Sequence, residues 1–278
     1  MKLGIMQGRL VPPEAQRFQS FPRERWREEF AVAAAAGLDT IEWIYDAYGE
    51  DLNPIGTDEG IRAIERLCSA HQIQVESVCA DWFMDYPLVG IGIEAARERW
   101  NRLSWLMLRC SSLGINRIVI PFVDGSAIKT PGDSDAVAAG LNALSELMDR
   151  SNVELHLETD LSPANFANLL ARTPHPHVKV NYDSGNSASL GYRPFEEFAA
   201  YGRRVGSVHL KDRRLGAGTV PLGSGDTDFT AVFESLKAVR YSGDFILQAA
   251  RGETEGELEL ARKNVRVARQ MIQCLRAP

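Results

Sequence analysis

Eight short apolar runs recur along this chain, and a segment with helical spacing separates each run from the next. Runs of five or six residues rich in Val, Ile and Leu are typical of parallel strands buried on both faces. Parallel neighbours need a crossover between them, which an amphipathic helix supplies. We predict strands at residues 3–7, 40–44, 74–78, 117–122, 153–158, 178–183, 206–210 and 244–248.

The segments between the runs repeat apolar residues three or four positions apart, as the buried face of a helix does. We predict helices at residues 22–36, 58–70, 93–113, 133–151, 162–172, 194–204, 228–239 and 255–275. Eight strands alternating with eight helices predict an α/β protein of the (β/α)8 TIM barrel type. No linker-like stretch interrupts the 278 residues, so we expect a single domain over residues 1–278.

Charge and composition narrow the classes of partner and location. The net charge of −6 disfavours a nucleic-acid surface. No apolar stretch approaches the roughly 18 residues of a membrane span. The four cysteines lack C-x-x-C spacing and the opening KLGIM predicts a strand, not a signal peptide. We therefore expect a cytoplasmic protein that meets neither nucleic acid nor membrane, and the sequence leaves a homo-oligomer open.

Four polar residues end consecutive predicted strands: Glu158, Asp183, His209 and Gln248. The carboxyl ends of parallel strands open on one face of a barrel, where barrel enzymes keep their chemistry. Side chains alternate along a strand, so Glu158 shares its face with His156, and that face is expected to point inward. Two carboxylates, one imidazole and one amide form an oxygen-rich set suited to Mn²⁺, Mg²⁺ or Zn²⁺. The strand ends therefore predict a site for one divalent metal ion.

The carboxyl-terminal half contains HLETD, NYDSGN, VHLKDR and VPLGSGDTDF, and the chain opens with LGIMQGRL. With these motifs the whole chain resembles the xylose isomerase-like (sugar phosphate isomerase/epimerase) TIM barrels, relatives of ketose 3-epimerases, inosose dehydratases and endonuclease IV. The resemblance implies a divalent metal held by a Glu, an Asp, a His and a second Glu on strands five to eight. Glu158, Asp183 and His209 match that pattern, whereas Gln248 stands where the second Glu is usual.

The amide at position 248 bears on the mechanism. A divalent cation beside a carbonyl acidifies the neighbouring C–H and stabilises the enediolate that forms when the proton leaves. Glu158 is the natural base, and the resemblance implies the same role. The family's epimerases use a second Glu on the opposite face of the substrate, which Gln248 cannot replace, so Lys211 and Asp212 are candidates for a substitute acid. One-base isomerisation or dehydration needs no such acid.

Several function classes follow, in order. The first is a metal-dependent isomerase or epimerase of a sugar or sugar phosphate. The second is a metal-dependent dehydratase of an inosose-like or dehydroshikimate-like substrate. A sugar-binding barrel of reduced activity is a third, because Gln248 departs from the family pattern. An abasic-site nuclease of the endonuclease IV type is disfavoured, since its three-metal cluster needs many histidines and only His209 is suitably placed.

Further residues are candidates for contact with the substrate: Glu42, Asn186, Lys211, Arg213 and Arg9. Glu42 ends the second strand, and a structural ion pair is its alternative role. Lys211 and Arg213 follow strand seven, where a phosphate or the far end of the substrate is commonly gripped, against the alternative of a solvated charged loop. The turn GSGDTDF predicts a helix capped by Asp226 or Asp228, with a phosphate site as the second interpretation. His175 and His177 are expected at the opposite end, in structural roles.

Overall fold

The computed structural model describes residues 1–252 and 256–276, and within them eight parallel strands close into a barrel. Each strand pairs with its sequence neighbours, and β1 closes the ring against β8. The predicted (β/α)8 TIM barrel is confirmed. The strands are β1 (Leu3–Met6), β2 (Thr40–Ile44), β3 (Gln74–Cys79), β4 (Arg117–Phe122), β5 (Glu154–Thr159), β6 (Val178–Asp183), β7 (Val205–Leu210) and β8 (Phe245–Leu247).

Helices follow the strands and cover the outside of the barrel. They are α1 (Glu28–Ala36), α2 (Asp58–His71), α3 (Trp82–Asp85), α4 (Ile93–Ser112), α5 (Pro131–Ala143), α6 (Ser145–Ser151), α7 (Pro163–Ala171), α8 (Ser184–Leu190), α9 (Pro194–Tyr201), α10 (Phe229–Ala238) and α11 (Glu257–Arg276). The helix predicted at 255–275 begins at Glu257, and its first predicted residue lies outside the described part of the chain. Within residues 1–252 and 256–276, no helix has the length and apolarity that crossing a membrane would need.

The predicted helix at 133–151 is two helices, because the backbone leaves helical geometry at Leu144. Two short helices were not predicted, α3 and α8, and α8 is made of the residues SGNSASL. Small polar residues carry no apolar periodicity, so the pattern that identifies a helix is missing there. After β7, the residues Asp212–Arg213 and Thr219–Val220 form a short antiparallel pair that shapes the loop over the barrel mouth.

Burial explains why the apolar runs are strands. All five residues of β2 and all six of β4 are buried, since one face packs inside the barrel and the other against the helices. Trp26, Phe30 and Trp43 pack edge to face or tilted between α1 and β2, with ring centroids 5.6 to 6.4 Å apart. This outer layer holds the strands in register, and the register sets where their last residues lie.

The loop after β1 is tied down by Glu29 of α1. Its carboxylate accepts the backbone N–H groups of Gly8, at 2.7 Å, and Leu10, at 3.2 Å. Gly8 has φ +78°, and a Cβ there would lie 2.5 Å from the carbonyl oxygen of Ser20. Only glycine fits both conditions. The loop is thereby folded back so that Phe18 and Gln19 reach the barrel mouth.

Candidate active site

Three of the four strand-end residues meet at the carboxyl-terminal mouth of the barrel. One side-chain ligand atom from each of Glu158, Asp183 and His209 lies within 4.8 Å of the other two. His209 Nδ1 is 3.2 Å from Glu158 Oε2 and 4.0 Å from Asp183 Oδ2. The strand register produces this convergence, because Asp183 on β6 is paired directly with His209 on β7.

The orientation of His209 is set by Glu42. The Oε1 atom of Glu42 lies 2.7 Å from His209 Nε2, and both side chains are fully buried. Nε2 therefore carries a proton directed at Glu42. Nδ1 faces Glu158 and Asp183, and no described residue forms a hydrogen bond with it. Burial disfavours the charged imidazole, but the carboxylates of Glu42 and Glu158 outweigh it and raise the pKa of His209 to about 10. Glu42 is thus placed to orient His209. It is not among the residues that line the cavity described below, so its contact is with His209 and not with the space open to a substrate.

The side-chain oxygen of Gln248 has no hydrogen-bond partner among residues 1–252 and 256–276. The Nε2 atom of Gln248 donates to Gln19 Oε1 at 2.9 Å, while its Oε1 is buried and accepts nothing from the part of the chain that the structure describes. Arg9 fixes this orientation, because its guanidinium also donates to Gln19 Oε1, at 3.0 Å, and a guanidinium can only donate. The atom of Gln248 that faces Gln19 Oε1 must then be the amide nitrogen, which leaves the oxygen for another ligand.

These residues fit a divalent cation. Ligand bonds of roughly 2.0 to 2.2 Å place two ligand atoms of one ion roughly 3 to 4 Å apart, as the contacts of His209 Nδ1 are. The buried atoms without a hydrogen-bond partner in the described residues include His209 Nδ1 and Gln248 Oε1, and both are metal-ligand types. Burial and the charge of Glu158 raise the pKa of Asp183 although Lys211 opposes the shift, so the carboxylates repel each other in the absence of a cation.

Amides from two elements hold the carboxylate of Glu158. Asn181 Nδ2 donates to Oε2 at 2.7 Å and Asn186 Nδ2 donates to Oε1 at 2.8 Å. Burial of Glu158 opposes its ionisation. The neighbouring His209 and the hydrogen bond from Asn181 outweigh burial and keep the pKa of Glu158 below its usual value. Arg213 donates to Asn186 Oδ1 at 2.8 Å, which fixes the orientation of that amide.

A hydrogen-bonded chain continues below Glu158 through the barrel interior. Ser207 donates to Asn181 Oδ1 at 2.6 Å, and His156 lies 2.7 Å from Ser207 Oγ and 2.9 Å from Glu154 Oε2. His156 is fully buried on the inward face, as the strand alternation predicts. The base candidate is therefore held in place from the far end of the barrel.

Lys211 lies on the same wall. Its Nζ is 3.3 Å from Asp183 Oδ2, and the side chain is largely buried. Asp183 also accepts the backbone N–H of Asn186 at 2.8 Å, which caps α8. The ammonium group of Lys211 lies beside Asp183 and lines the cavity, so it can donate a hydrogen bond to a substrate oxygen there.

A cavity of about 390 Å³ opens above Glu158, Lys211 and Gln248. This volume is in the range of small-molecule sites. The residues that line it and concern the chemistry are Phe18, Gln19, Asp81, Glu158, Asn186, Lys211, Arg213 and Gln248. A larger groove of about 900 Å³ between α9 and α10 is lined by other residues, among them Phe195 and Arg240. The smaller cavity is the candidate site because Glu158 and Gln248 line it, and Glu158 lies beside His209 and Asp183.

Arg9 was expected to reach the substrate, but the structure places it under the loop after β1. Its guanidinium donates to the carbonyl of Phe18 and to Gln19, and the side chain is buried. Arg9 therefore shapes the mouth indirectly. Gln19 and Asp81, which line the cavity, were not predicted as site residues. Asp81 follows β3 almost directly, so the rule that singled out the other strand ends could have found it.

The glycine-rich turn does not offer a free anion site. The carboxylate of Asp212 accepts the backbone N–H groups of Gly223 at 2.8 Å, Gly225 at 2.9 Å and Thr227 at 3.2 Å. The donors that a phosphate would need are thus occupied by a side chain of the chain itself. Asp212 is fully buried by these contacts, which removes it as a substitute acid. Asp228, one of the two predicted caps, caps α10 at Ala231 N.

A second group of metal-ligand types, Asp149, His175 and His177, lies at the opposite end of the barrel. His175 Nδ1 accepts the backbone N–H of His177 at 3.2 Å, so its proton is on Nε2, 3.3 Å from Asp149 Oδ1. His177 Nδ1 faces the carbonyl of Met148 at 3.3 Å. His175 has no free lone pair for an ion, and these contacts agree with the structural role expected for both histidines.

Comparison with known proteins gives consistent matches. The sequence model of the family described as xylose isomerase-like TIM barrel matches residues 30–277. The chain is 24% identical over 237 residues to L-ribulose-5-phosphate 3-epimerase UlaE of Shigella flexneri serotype 5b (strain 8401), covering 81% of this chain and 82% of that one. It is 30% identical over 153 residues to inosose dehydratase of Clostridium tetani (strain Massachusetts / E88), covering 46% of this chain and 51% of that one.

A solved structure of IOLI protein with a binding zinc atom has the same fold. The TM-score is 0.75 at 18% sequence identity, with 99% of this chain and 98% of that chain covered. At this identity the likeness extends to the fold alone.

Proposed function

Because this chain belongs to the xylose isomerase-like TIM barrel family, we propose that it is a divalent-metal-dependent isomerase or epimerase of a sugar or sugar phosphate. It removes a proton next to the substrate carbonyl and forms an enediolate. The observation that carries the proposal is the convergence of Glu158, Asp183 and His209 beneath the cavity that Gln248 also lines.

Glu158, Asp183, His209 and Gln248 would hold the ion. When bound, it supplies positive charge that polarises the substrate carbonyl and acidifies the adjacent C–H. Three oxygen ligands and one nitrogen ligand suit Mn²⁺, Mg²⁺ or Zn²⁺. The similarity to L-ribulose-5-phosphate 3-epimerase UlaE supports a sugar phosphate as the substrate class, and the similarity to inosose dehydratase supports an inosose.

Glu158 takes the proton. Asn181 and Asn186 each donate to one of its two oxygens, and its lowered pKa keeps it ionised at neutral pH. Two fixed donors mean that little reorganisation is needed at the moment of transfer. Lys211 and Arg213 project from the segment after β7 into the cavity, where they can donate to substrate oxygens. Asn186 acts by orienting Glu158, and Glu42 acts through His209.

Dehydration is the second candidate, and a specific observation favours it. Loss of water from an inosose-like substrate begins with the same proton abstraction and needs one carboxylate base. Gln248 is an amide and cannot act as a base. Glu158 is the strand-end carboxylate whose two oxygens are oriented by side-chain amides, so it is the base that dehydration would use. The inosose dehydratase relative acts on that class of substrate.

The test is deuterium exchange in D₂O on the full chain supplied with Mn²⁺, Mg²⁺ or Zn²⁺. The substrates are D-fructose, D-psicose, L-ribulose, L-ribulose 5-phosphate and scyllo-inosose. We expect exchange at the carbon beside the carbonyl for at least one of them, and Glu158→Gln is expected to reduce it by about 100-fold or more. Asp135→Asn, an exposed substitution on α5, is the control and should exchange normally. Absence of exchange across the panel would contradict the proposal and favour a barrel that only binds sugar.

A further inference from the structure

The strand register turns Gln248 into the barrel mouth beside β7. Ile246 on β8 is paired with His209 on β7, and paired residues of neighbouring strands point to the same face of the sheet. Gln248 follows two residues later and continues the ladder, since its backbone N–H donates to the carbonyl of Leu210 at 3.0 Å. Side chains alternate along a strand, so the amide of Gln248 points inward, as the imidazole of His209 does.

One glutamine determines which end of that amide is free. Gln19 Oε1 accepts from Gln248 Nε2 at 2.9 Å and from the guanidinium of Arg9 at 3.0 Å. The other end of the Gln19 amide, Nε2, donates to Asp81 Oδ2 at 2.7 Å. Burial, with the charge of Arg251, lowers the pKa of Arg9 to about 9, so its guanidinium stays protonated at neutral pH and can only donate. These contacts fix the orientation of Gln19, and through it the orientation of Gln248.

The backbone beside Gln19 is held by two arginines. Arg251 Nε donates to the carbonyl of Phe18 at 3.0 Å. Arg9 also donates to that carbonyl, and its guanidinium lies over the ring of Phe18, 4.2 Å from the centroid. The acceptor that Gln248 meets therefore has a fixed position.

The free end of the Gln248 amide distinguishes a ligand from a purely structural residue. A buried structural amide usually has hydrogen bonds at both ends, because an unpaired buried acceptor is destabilising. Nothing among the described residues donates to Gln248 Oε1. A divalent cation would satisfy this oxygen, since amide oxygens are ligands of hard cations. A carboxylate at position 248 would instead set an oxygen against Gln19 Oε1, and two acceptors cannot share a hydrogen bond.

We propose that Gln19 is a positioning residue of the metal centre: it holds the nitrogen of Gln248, turns the oxygen of Gln248 toward the ion, and favours an amide at position 248. The inference rests on the proposed function. With a neutral fourth ligand, the carboxylates of Glu158 and Asp183 balance the charge of a divalent ion, whereas a third carboxylate would make the centre net negative. The amide therefore leaves more positive charge to stabilise an enediolate.

Metal affinity over positions 19 and 248 tests the positioning role. The variants are Gln19→Met, which keeps the length of the side chain and loses its amide, Gln248→Met, and the two together. Metal-free protein of residues 1–278 is titrated with Zn²⁺ in a calorimeter. We expect each single substitution to raise the dissociation constant about 10-fold or more. The double variant should bind no more weakly than Gln248→Met, because Gln19 acts through Gln248. Gln270→Met, at an exposed position of α11, is the control and should bind as the native protein does.

The visible absorption of Co²⁺-loaded protein reports the ligands directly, because it depends on the coordination geometry of the ion. Gln19→Met and Gln248→Met should change the spectrum in the same way, since both withdraw the same oxygen. A loss of loop packing alone would leave the spectrum of Gln19→Met like that of the native protein, and this result would contradict the inference.

Three results of the titration would overturn the inference. Native affinity in Gln248→Met would mean that its oxygen is not a ligand. Additive losses in the double variant would mean that Gln19 supports the loop and not the ligand. Both of these results leave the proposed function standing, because the native protein binds the ion. If the native protein binds no divalent ion, the metal dependence of the proposed function fails and this inference fails with it.

The preference for an amide has a test that needs neither metal nor substrate. In metal-free protein Gln248→Glu should lower the thermal midpoint, and the loss should be smaller in the Gln19→Met background because the opposing oxygen is gone. A double-mutant cycle over the two positions separates this coupling from the general repulsion of a new charge. An unchanged or raised midpoint for Gln248→Glu, or equal losses in both backgrounds, would overturn the preference.

Discussion

The carboxylate of Glu42 and the imidazole of His209 form a pair that solvent does not reach, with Glu42 Oε1 2.7 Å from His209 Nε2. β2 and β7 carry these residues on the inward side of the barrel, so the contact spans its interior. The pair decides which ring nitrogen of His209 faces the other ligands. Carboxylate–imidazole pairs of this kind orient metal-binding histidines in many sites.

Glu42→Gln is therefore expected to weaken metal binding while the four ligands stay in place. The amide keeps the volume but loses the charge that favours one ring orientation and a basic Nδ1. We expect the dissociation constant for Zn²⁺ or Mn²⁺ to rise about 10- to 100-fold, as measured by calorimetric titration of metal-free protein. Glu76→Gln, which breaks an ion pair with Lys2, is the matched control. An unchanged affinity would show that Glu42 has no positioning role.

Asn186→Ala should separate proton transfer from metal binding. The substitution removes the donor to Glu158 Oε1 and frees Arg213, while Asp183 and His209 keep their contacts. We expect the exchange rate in D₂O to fall about 10-fold or more and the metal content to stay near that of the native protein. Asn165→Ala, on the exposed surface of α7, controls for the loss of an amide. Equal loss of metal and of exchange would mean that Asn186 supports the ligands instead.

Glu154 predicts a pH dependence of stability. Burial opposes its ionisation, but His156 and Lys179 outweigh it and hold the pKa of Glu154 at about 2, below its ordinary value of 4.5. A depressed carboxyl pKa stabilises the fold above the unfolded-state pKa, and the contribution is lost as the pH falls from about 4.5 toward 2. Glu154→Gln should cost about 1 to 3 kcal/mol at pH 7 and much less at pH 3. Urea unfolding at the two pH values measures this, and an equal cost at both would contradict it.

Gly8→Ala and Gly90→Ala form a matched pair for the loop after β1. Both glycines have positive φ, +78° and +69°, so alanine is strained at each. At Gly8 the new Cβ would also lie 2.5 Å from Ser20 O, whereas at Gly90 no atom of the described residues lies within 4 Å. We expect both to lose about 1 kcal/mol from backbone strain and Gly8→Ala to lose about 1 to 3 kcal/mol more. Equal losses in urea unfolding would show that the loop yields without cost.

The barrel was predictable because its signals are local. Each strand contains Val, Ile or Leu in a short run, and the observed bounds of the eight strands fall within one or two residues of the prediction. The convergence of Glu158, Asp183 and His209 followed from strand alternation and from the shared end of parallel strands. Helix α8 was missed because SGNSASL carries no apolar period.

The contacts of the site were less accessible to sequence reasoning. The position of Gln19 depends on a loop folded back by Glu29 and Gly8, and no spacing along the chain reports that. The role of Arg9 depends on the same loop. Donor and acceptor logic explains the amide of Gln248 only once its neighbours are known.

Metal content tests the central claim most directly. Protein comprising residues 1–278, purified without chelator or reloaded with Mn²⁺, Mg²⁺ or Zn²⁺ and desalted, should contain about one divalent ion per chain by elemental analysis. Asp183→Ala and His209→Ala should each remove that ion, and His175→Ala, at the other end of the barrel, should leave it bound. Native metal content in both site variants would contradict the account.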